Sequence, residues 1–290
     1  MERRFEKVGI AGLGLIGGSM GLALRRGGVQ VLGFEQSPQS AARALERGAA
    51  DRIGGTVDGC SLVLLAVYPG AAAAFVREHL SEFAPGTLIA DLCGIKRCVC
   101  AELEPLCRAH GLHFLGAHPM AGRETSGIDS ARANLFEGAS LVLTPGKGFE
   151  EELLEAFIRL MKETAGFANF VRATPEHHDR MIAYTSQLAH VLSSAYIQNP
   201  LCERYSGFTG GSFQDLTRVA RLNSEMWGEL FLKNRDMLCE QLDVLMENLA
   251  AYRQALALGD GEKLRALMEN GTRIKNELLH RAQAQDLSRE

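Results

Sequence analysis

The chain has 290 residues, enough to bury one large or two medium hydrophobic cores, and we expect two domains. Hydrophobic residues make up 46% of it, but no apolar run reaches the roughly 18 to 20 residues of a membrane helix. A net charge of -4 argues against the basic surface that nucleic-acid binding requires. We therefore expect small-molecule partners, no membrane and no nucleic acid. The N-terminal stretch MERRFEKVGIAG lacks the apolar core of a signal peptide, which predicts a cytoplasmic location.

The cysteines do not follow a metal-binding pattern. Cys98 and Cys100 are separated by one residue, whereas a zinc knuckle has two residues between its cysteines and a second pair elsewhere. We therefore predict reduced thiols and no metal site.

Short apolar runs alternate with helical stretches from residue 7 to about residue 173. Runs that are apolar throughout are typical of strands buried on both faces, and helices between them favour a doubly wound, mostly parallel sheet. The predicted strands are Val8–Ala11, Val31–Phe34, Leu62–Val67, Leu88–Leu92, His113–Gly116, Ser140–Thr144 and Asn169–Arg172. Residues 1–173 are therefore predicted to form an N-terminal α/β domain.

A glycine-rich sequence directly follows the first predicted strand and opens a helix. Gly12-Leu13-Gly14-Leu15-Ile16-Gly17 matches the pattern G-x-G-x-x-G. Its glycines allow a tight turn, close approach of a pyrophosphate and close contact between helix and strand, while the helix N-terminus supplies amide donors. This context predicts a Rossmann-type nucleotide-binding domain in which the motif, including Leu15 and Ile16, contacts the cofactor. A glycine-rich turn without a ligand is the alternative.

An acidic residue follows the second predicted strand. Glu35 lies about 20 residues beyond the glycine motif, where a carboxylate accepts the hydroxyls of an adenosine ribose and repels a 2′-phosphate. We therefore expect NAD rather than NADP as the cofactor. Ala66 and Val67, at the end of the third predicted strand, are expected to line the same crevice.

Helical patterns replace the strands after residue 173. Thr174-Pro175 combines an N-cap hydroxyl with proline at the first helical position. The longest predicted helix runs from Glu225 to about Leu258, is capped by Ser224 and ends at Gly259. Its apolar residues recur every seven positions, which fits an intramolecular helical core or a dimer seam equally well. Residues 174–290 are predicted to form an all-α domain that binds substrate and dimerises.

Four polar residues are candidates for the chemistry. His118 follows a predicted strand, and an imidazole with a pKa of about 6.5 can take a proton from an alcohol as a hydride leaves, although a structural histidine fits equally well. Gln187 and His190 lie on a polar stripe of an apolar helix. These side chains either line a binding site or form structural hydrogen bonds with neighbouring helices. Arg218 offers a fork of donors to a carboxylate, or forms a structural ion pair with Asp215 or another acid.

Taken in order, these motifs resemble the prephenate/arogenate dehydrogenase family of tyrosine biosynthesis. The resemblance extends over nearly the whole chain. It rests on the glycine motif, Asp91-x-x-x-x-Lys96, His118-Pro119-Met120-Ala121-Gly122-x-Glu124-x-Ser126-Gly127, Glu176-x-His178-Asp179, Ser186-x-Leu188-x-His190, Gly210-Gly211-x-Phe213-x-Asp215-x-Thr217-Arg218-x-Ala220, Met226-Trp227 and Asn234.

The resemblance implies an NAD-dependent oxidative decarboxylation of prephenate to 4-hydroxyphenylpyruvate, with arogenate as the alternative substrate. It implies that His118 takes the proton of the substrate's ring hydroxyl as the hydride leaves, and that Arg218 binds a substrate carboxylate. It further implies that His190 and Trp227 line the pocket, with Trp227 from the partner subunit of a homodimer formed by the helical domain. Glu124 is implied to order the arginine and the entrance.

Two residues depart from the family pattern, and both are expected to contact the substrate. Many members carry a serine where this chain has Gly94, and its hydroxyl supports the catalytic histidine. Here a water or the thiol of Cys93 takes that role, or this branch works without it. Many members also carry a histidine at the position of Gln187. The choice between prephenate and arogenate therefore stays open.

Two other classes of protein share parts of the pattern. A β-hydroxyacid dehydrogenase or imine reductase also joins a Rossmann domain to helices, but a hydroxyacid enzyme requires a catalytic lysine facing an asparagine, for which Lys233 and Asn234 are only hints. A non-catalytic NAD-sensing module is the second alternative. The presence of His118, His190 and Arg218 argues against it.

Overall fold

The computed structural model of the protein describes residues 5–287. Residues 1–4, which belong to the stretch from which the location was predicted, and residues 288–290 lie outside the described residues, as do the side chains of residues 282–287. The chain divides into two compact units, Met1–Leu238 and Cys239–Glu290. The domain boundary at residues 173 and 174 stays a prediction.

Eight strands form one sheet in the first unit. They are β1 (Lys7–Ala11), β2 (Gln30–Phe34), β3 (Arg52–Ile53), β4 (Leu62–Leu65), β5 (Leu88–Asp91), β6 (His113–Pro119), β7 (Ser140–Pro145) and β8 (Asn169–Arg172). Their order is β3-β2-β1-β4-β5-β6-β7-β8, and every neighbouring pair is parallel except β6 with β7. The prediction of a doubly wound, mostly parallel sheet is confirmed.

Several details of the sheet differ from the prediction. Strand β4 ends at Leu65 rather than at Val67, and four other strands differ by one residue at one end. The two-residue strand β3 has no apolar run and was not predicted. Strand β6 is longer than predicted, so His118 lies within its last residues, paired with Val142 of β7, and does not follow the strand.

Helices cover both faces of the sheet. The helices that connect the strands are α1 (Leu15–Arg26), α2 (Pro38–Glu46), α3 (Pro69–Glu78), α4 (Arg97–Ala109) and α5 (Glu151–Leu160). One buried cluster joins the sheet to α1 and α5 through Leu24 and Phe157, and a second joins the opposite face to α3 and α4 through Val76 and Leu103. Burial of apolar side chains on both faces is the main stabilising contribution to this layered arrangement.

The helical segment begins where the sequence predicts. Thr174 caps α6 (Pro175–Ile182), because its hydroxyl accepts the amide of His177. A π-helical turn, Ala183–Gln187, continues the chain into α7 (Leu188–Ile197), and α8 (Gly211–Thr217) follows after a loop.

The prediction of one continuous helix from Glu225 to Leu258 is wrong. The structure has α9 (Ser224–Lys233) and α10 (Arg235–Leu258), separated at Asn234. The Asn234 side chain is buried and donates to the carbonyl of Asp179 and to Gln187, so long-range hydrogen bonds fix the break. The N-cap is Asn223 rather than Ser224, since its side chain accepts the amide of Met226.

The second unit consists of most of α10 and of α11 (Gly261–Leu287), joined at Gly259, whose φ of 64° ends α10 as predicted. Both helices expose large apolar side chains: Val244, Met246, Leu249, Leu256, Leu258, Met268, Ile274, Leu278 and Leu279. Across residues 5–287, no helix is long and apolar enough to cross a membrane. Over the same residues, no cluster of three or more histidine, cysteine or acidic side chains is arranged to hold a metal ion.

Candidate functional site

The glycine motif forms a tight turn between β1 and α1, at the carboxyl edge of the parallel strands. Gly12 has a φ of 82°, and a Cβ there would lie 2.5 Å from the carbonyl oxygen of Ala66. A Cβ on Gly17 would collide with the carbonyl of Gly12, whereas a Cβ on Gly14 would meet nothing within 4 Å. Packing therefore requires the first and third glycines, while the second leaves open space into which a phosphate can approach.

The groups around this open space suit a dinucleotide. No side chain caps the N-terminus of α1, so the amides of its first turn, which includes Leu15 and Ile16, are available to a ligand. Glu35 follows β2, and its carboxylate accepts the amide of Leu13 at 3.0 Å and that of Ser37 at 3.2 Å. These two bonds fix the carboxylate beside the glycine turn, where it can accept ribose hydroxyls.

The two residues that follow β4 close the other side of the turn. Val67 Cγ1 would lie 2.9 Å from a Cβ on Gly12, and Ala66 Cβ would lie 2.9 Å from a Cβ on Gly17. The structure therefore brings together every residue that the sequence assigned to the cofactor.

His118 is connected through a second histidine to a buried carboxylate. Its Nδ1 lies 2.8 Å from Nε2 of His178, and Nδ1 of His178 lies 2.8 Å from Oδ1 of Asp179. Helix α6 carries both partners, and each is at most 2% exposed. Because β5 and β6 are parallel, the end of β6 places His118 at the same edge of the sheet as the glycine turn.

The amides at the start of α4 hold Asp179 as an anion. Oδ1 accepts the amide of Lys96 at 2.7 Å, and Oδ2 accepts the amide of Arg97 at 2.9 Å, so Asp179 caps this helix. Burial alone would raise the pKa of Asp179, but the hydrogen bonds from His178 and from these two amides outweigh it and hold the pKa below its usual value. Burial lowers the pKa of His178, so its ring is neutral at pH 7.

A buried lysine lies close to the same histidines. Lys96 is fully buried, and its ammonium pairs with Asp91 and donates to the carbonyl of Ala117 at 2.7 Å. Burial lowers the pKa of His118 well below its usual value, and the charges of His178 and Lys96 act in the same direction. The His118 ring, which is partly exposed, is therefore neutral at pH 7 and can accept a proton.

Gly94 lies beside the other nitrogen of His118. A Cβ on Gly94 would lie 3.9 Å from His118 Nε2 and 3.5 Å from the nearer methyl carbon of Leu230. The thiol of Cys93 donates to the carbonyl of Val67 at 3.4 Å, and its replacement of the family's serine stays a prediction. Burial also raises the pKa of this thiol, so it stays a neutral donor.

Four other predicted residues form a second cluster. Arg218 forms an ion pair with Glu124 and not with Asp215. The His190 ring contacts that of Trp227 with centroids 4.0 Å apart and planes tilted by 45°, and the charges of Arg218 and Glu124 both act on its imidazole. Burial lowers the pKa of His190, so its neutral ring donates from Nδ1 to the carbonyl of Val219 at 3.2 Å. Trp227 contacts His190 of its own chain, so this ring contact does not require a partner subunit.

Gln187 lies in a buried hydrogen-bond network. Its side chain is 1% exposed, its Oε1 accepts Nδ2 of Asn234 at 2.8 Å, and its Nε2 donates to the carbonyl of Leu230 at 3.4 Å. Both ends of the amide are therefore occupied by protein. A contact between Gln187 and substrate stays a prediction.

Sequence reasoning assigned no role to His178 and Asp179, although both belong to a motif on which the resemblance rests. The sequence does carry a signal for their role. The His-Asp pair lies one turn after the Thr174 N-cap, on the side of α6 that also buries Ile182. Only the fold shows that this pair meets a histidine sixty residues earlier in the chain.

Comparisons with known proteins assign both halves of the chain to one enzyme family. Residues 20–169 match the family model described as prephenate dehydrogenase, nucleotide-binding domain, and residues 174–270 match the one described as prephenate dehydrogenase, dimerization domain. A cyclohexadienyl dehydrogenase of Zymomonas mobilis is 31% identical over 276 residues, which cover 90% of this chain and 92% of that protein. A prephenate dehydrogenase of Bacillus subtilis is 29% identical over 281 residues, 91% of this chain and 74% of that protein.

Solved structures share the fold. Prephenate dehydrogenase of Aquifex aeolicus, in complex with hydroxyphenyl propionate and NAD+, has a TM-score of 0.83 at 23% identity and covers 96% of this chain and 100% of its own. Arogenate dehydrogenase of Synechocystis has a TM-score of 0.77 at 26% identity, over 93% of this chain and 99% of its own. A 3-hydroxyisobutyrate dehydrogenase of Mycobacterium tuberculosis reaches only 0.53. The sequence and family matches over both halves of the chain show that it belongs to the prephenate/arogenate dehydrogenase family.

Proposed function

We propose that the protein is an NAD-dependent dehydrogenase that oxidatively decarboxylates prephenate to 4-hydroxyphenylpyruvate in tyrosine biosynthesis. The observation that carries this proposal is His118, a neutral histidine at the edge of the sheet that also bears the glycine turn. The family matches supply the substrate class, and the relatives named above include enzymes for both prephenate and arogenate.

The residues at the sheet edge fit NAD. The glycine turn and the uncapped N-terminus of α1 would hold the pyrophosphate, and Glu35 would accept the ribose hydroxyls while repelling a 2′-phosphate. Ala66 and Val67 would line the same crevice. When bound, NAD accepts the hydride that leaves the ring carbon bearing the substrate's hydroxyl.

His118 is the general base of the proposed reaction. Its Nε2 takes the hydroxyl proton as the C–H electron pair leaves as hydride, so the ring C–O bond becomes a carbonyl. The bond to the ring carboxylate then breaks, carbon dioxide departs, and the electron pair makes the ring aromatic. The ring oxygen recovers its proton from His118. Prephenate and NAD+ thereby give 4-hydroxyphenylpyruvate, carbon dioxide and NADH, with the base regenerated.

The second cluster is proposed to bind the substrate. Arg218 has a side chain that is 64% exposed, so its guanidinium can exchange part of its contact with Glu124 for a substrate carboxylate. The contacting rings of His190 and Trp227 provide an aromatic wall for the substrate's ring. Gly94 adds space beside His118 Nε2, where the ring hydroxyl has to enter.

The enzyme is further proposed to act as a homodimer through its helical part. The family model described as a dimerization domain matches residues 174–270. The large apolar side chains that α10 and α11 expose would be covered by a second copy. Light scattering on the purified protein tests this, with the mass of two chains expected and the mass of one chain contradicting it.

One assay tests the activity. The purified protein is mixed with NAD and either prephenate or arogenate, NADH is followed by absorbance, and the products are identified chromatographically. NADH and 4-hydroxyphenylpyruvate from prephenate are the expected result. If NADH and tyrosine form from arogenate and no NADH forms from prephenate, the substrate is arogenate. No NADH from either substrate would overturn the proposal.

A further inference from the structure

We propose that His178 and Asp179 are positioning residues that hold His118 in the tautomer with its ring proton on Nδ1, leaving Nε2 to receive the substrate's proton. The part of this inference that concerns substrate rests on the proposed function. The tautomer itself is a property of the protein alone and can be measured without substrate.

The carboxylate of Asp179 can only accept hydrogen bonds. Its two oxygens receive the amides of Lys96 and Arg97 at 2.7 and 2.9 Å, and backbone amides always donate. An ionised carboxylate has no proton to give. Nδ1 of His178, 2.8 Å from Oδ1, must therefore be the donor in that contact.

The proton on His178 Nδ1 determines the state of its other nitrogen. A neutral imidazole has one ring proton, so Nε2 of His178 carries a lone pair. This nitrogen lies 2.8 Å from Nδ1 of His118, a distance that is attractive only when one of the two nitrogens donates. The donor is therefore His118 Nδ1, and His118 Nε2 is left with a lone pair. An imidazole side chain in water favours the opposite tautomer, with the proton on Nε2.

The chain of hydrogen bonds is anchored from several elements. The carbonyl of Asp179 accepts Nδ2 of Asn234 at 2.9 Å, while its carboxylate caps α4. The two histidine rings are tilted by 58°, with centroids 5.0 Å apart, so they meet through their nitrogens and do not stack. Side chains held in this way cannot turn without breaking buried hydrogen bonds, which is costly.

The same chain stabilises the charge that forms during the reaction. When His118 takes a proton at Nε2, it becomes a cation that faces the ammonium of Lys96, and Asp91 already pairs with that ammonium. The hydrogen bond from His118 Nδ1 to His178 passes part of the new charge toward the carboxylate of Asp179. This hydrogen bond is then stronger than one between neutral groups, because its donor is ionised.

Nitrogen-15 NMR of histidine-labelled protein tests the tautomer. Two-bond proton–nitrogen spectra distinguish a protonated from an unprotonated ring nitrogen, and His118→Asn identifies the signals of His118. We expect the wild-type protein at pH 7 to show a protonated Nδ1 and an unprotonated Nε2 on His118. The opposite assignment would overturn the proposal whatever the activity of the enzyme.

Variants of His178 test the consequence for catalysis. His178→Phe removes the acceptor, so we expect a change in the His118 tautomer and a loss of kcat of about 10²-fold, at the low end for general base catalysis. His178→Gln retains an amide oxygen that can accept from His118 Nδ1, and it should recover part of the lost turnover. The matched control is His177→Gln, the exposed neighbour on the same helix, which should leave kcat and tautomer unchanged.

The two proposals fail in different ways. A wild-type protein that forms no NADH from prephenate or arogenate contradicts the proposed function, while the NMR result still decides the tautomer. A folded His178→Phe variant that keeps wild-type kcat and tautomer contradicts the positioning role. Should His178→Phe not fold, His178→Gln and the wild-type spectrum still decide the question.

Discussion

Nε2 of His178 lies 2.8 Å from Nδ1 of His118, where the end of β6 meets α6. This contact joins the strand that carries the candidate base to the helix that begins the all-helical segment of the chain. The geometry of the base therefore depends on helix α6 as much as on the sheet.

Replacing the base should reduce chemistry without changing cofactor binding. His118→Asn keeps a polar side chain at the end of β6 but removes a nitrogen that can take the proton, so kcat should fall by about 10²-fold or more. Over residues 5–287, no hydrogen bond joins His118 to the glycine turn or to Glu35, so the affinity for NAD should stay the same. Steady-state kinetics and NAD titration by fluorescence measure the two effects. Near-native turnover in His118→Asn would show that the base is another group.

The pH dependence of kcat/KM should reflect the lowered pKa of His118. Only the neutral imidazole accepts a proton, so activity is lost as the pH falls through the pKa of the base. Burial lowers this pKa well below the usual value of about 6.5, and His178 on α6 and Lys96 just before α4 act in the same direction. Asp91, the last residue of β5, pairs with Lys96. We therefore expect kcat/KM to stay constant as the pH falls to 6.5 and to decline only in more acidic buffer.

The carboxylate of Glu124 will not produce an acid limb near pH 6.5. Its own amide and the guanidinium of Arg218 lower its pKa from the usual acidic value. An acid limb at pH 6.5 or above would contradict the assigned environment of His118.

Removing Arg218 should weaken substrate binding more than it slows turnover. A charge-assisted hydrogen bond to a carboxylate contributes about 1.5 to 3 kcal/mol, so Arg218→Ala should raise KM for prephenate by roughly 10- to 100-fold. Its exposed ion pair with Glu124 contributes little to stability, so the melting temperature should change only slightly. Arg221→Ala removes a nearby exposed positive charge and serves as the matched control. An equal rise of KM in both variants would indicate a general electrostatic effect.

The sheet and the cofactor turn were predictable because their signals are local. Apolar runs mark the strands, and the glycine motif combines spacing with its position between a strand and a helix. Strand β3 was missed because two residues, Arg52 and Ile53, carry no periodicity. The break at Asn234 was missed because a heptad pattern continues across it, while the hydrogen bonds that fix it come from residues far away in the chain.

The candidate site was predictable residue by residue but not as an assembly. Motifs identified His118, Arg218 and Trp227 as single positions. The contact between His118 and His178 depends on how α6 packs on the sheet, which no local pattern encodes. The buried position of Gln187 likewise follows from its contact with Asn234, so a residue expected in the substrate pocket proved to have both ends of its amide bound by protein.

Filling the space at Gly94 should separate the effect of volume from that of a hydroxyl. A Cβ there would lie 3.5 Å or more from its neighbours, which is ordinary van der Waals contact, so both Gly94→Ala and Gly94→Ser should fold. Either side chain occupies space beside His118 Nε2 that the substrate's ring hydroxyl needs, and kcat/KM should fall in both. The serine hydroxyl can donate to the lone pair of Nε2 and also accept from the substrate, so Gly94→Ser should lose less activity than Gly94→Ala.

The nitrogen-15 NMR signal of His118 Nε2 also distinguishes Gly94→Ser from Gly94→Ala. A hydrogen bond from the serine should shift the Nε2 resonance in Gly94→Ser, whereas the methyl group of Gly94→Ala should leave it close to the wild-type position. A hydrogen bond to the neutral imidazole also lowers its pKa, so the acid limb of Gly94→Ser should move to still lower pH. If Gly94→Ala matched the wild-type enzyme in kcat/KM, the space beside Nε2 would have no role in admitting the ring hydroxyl.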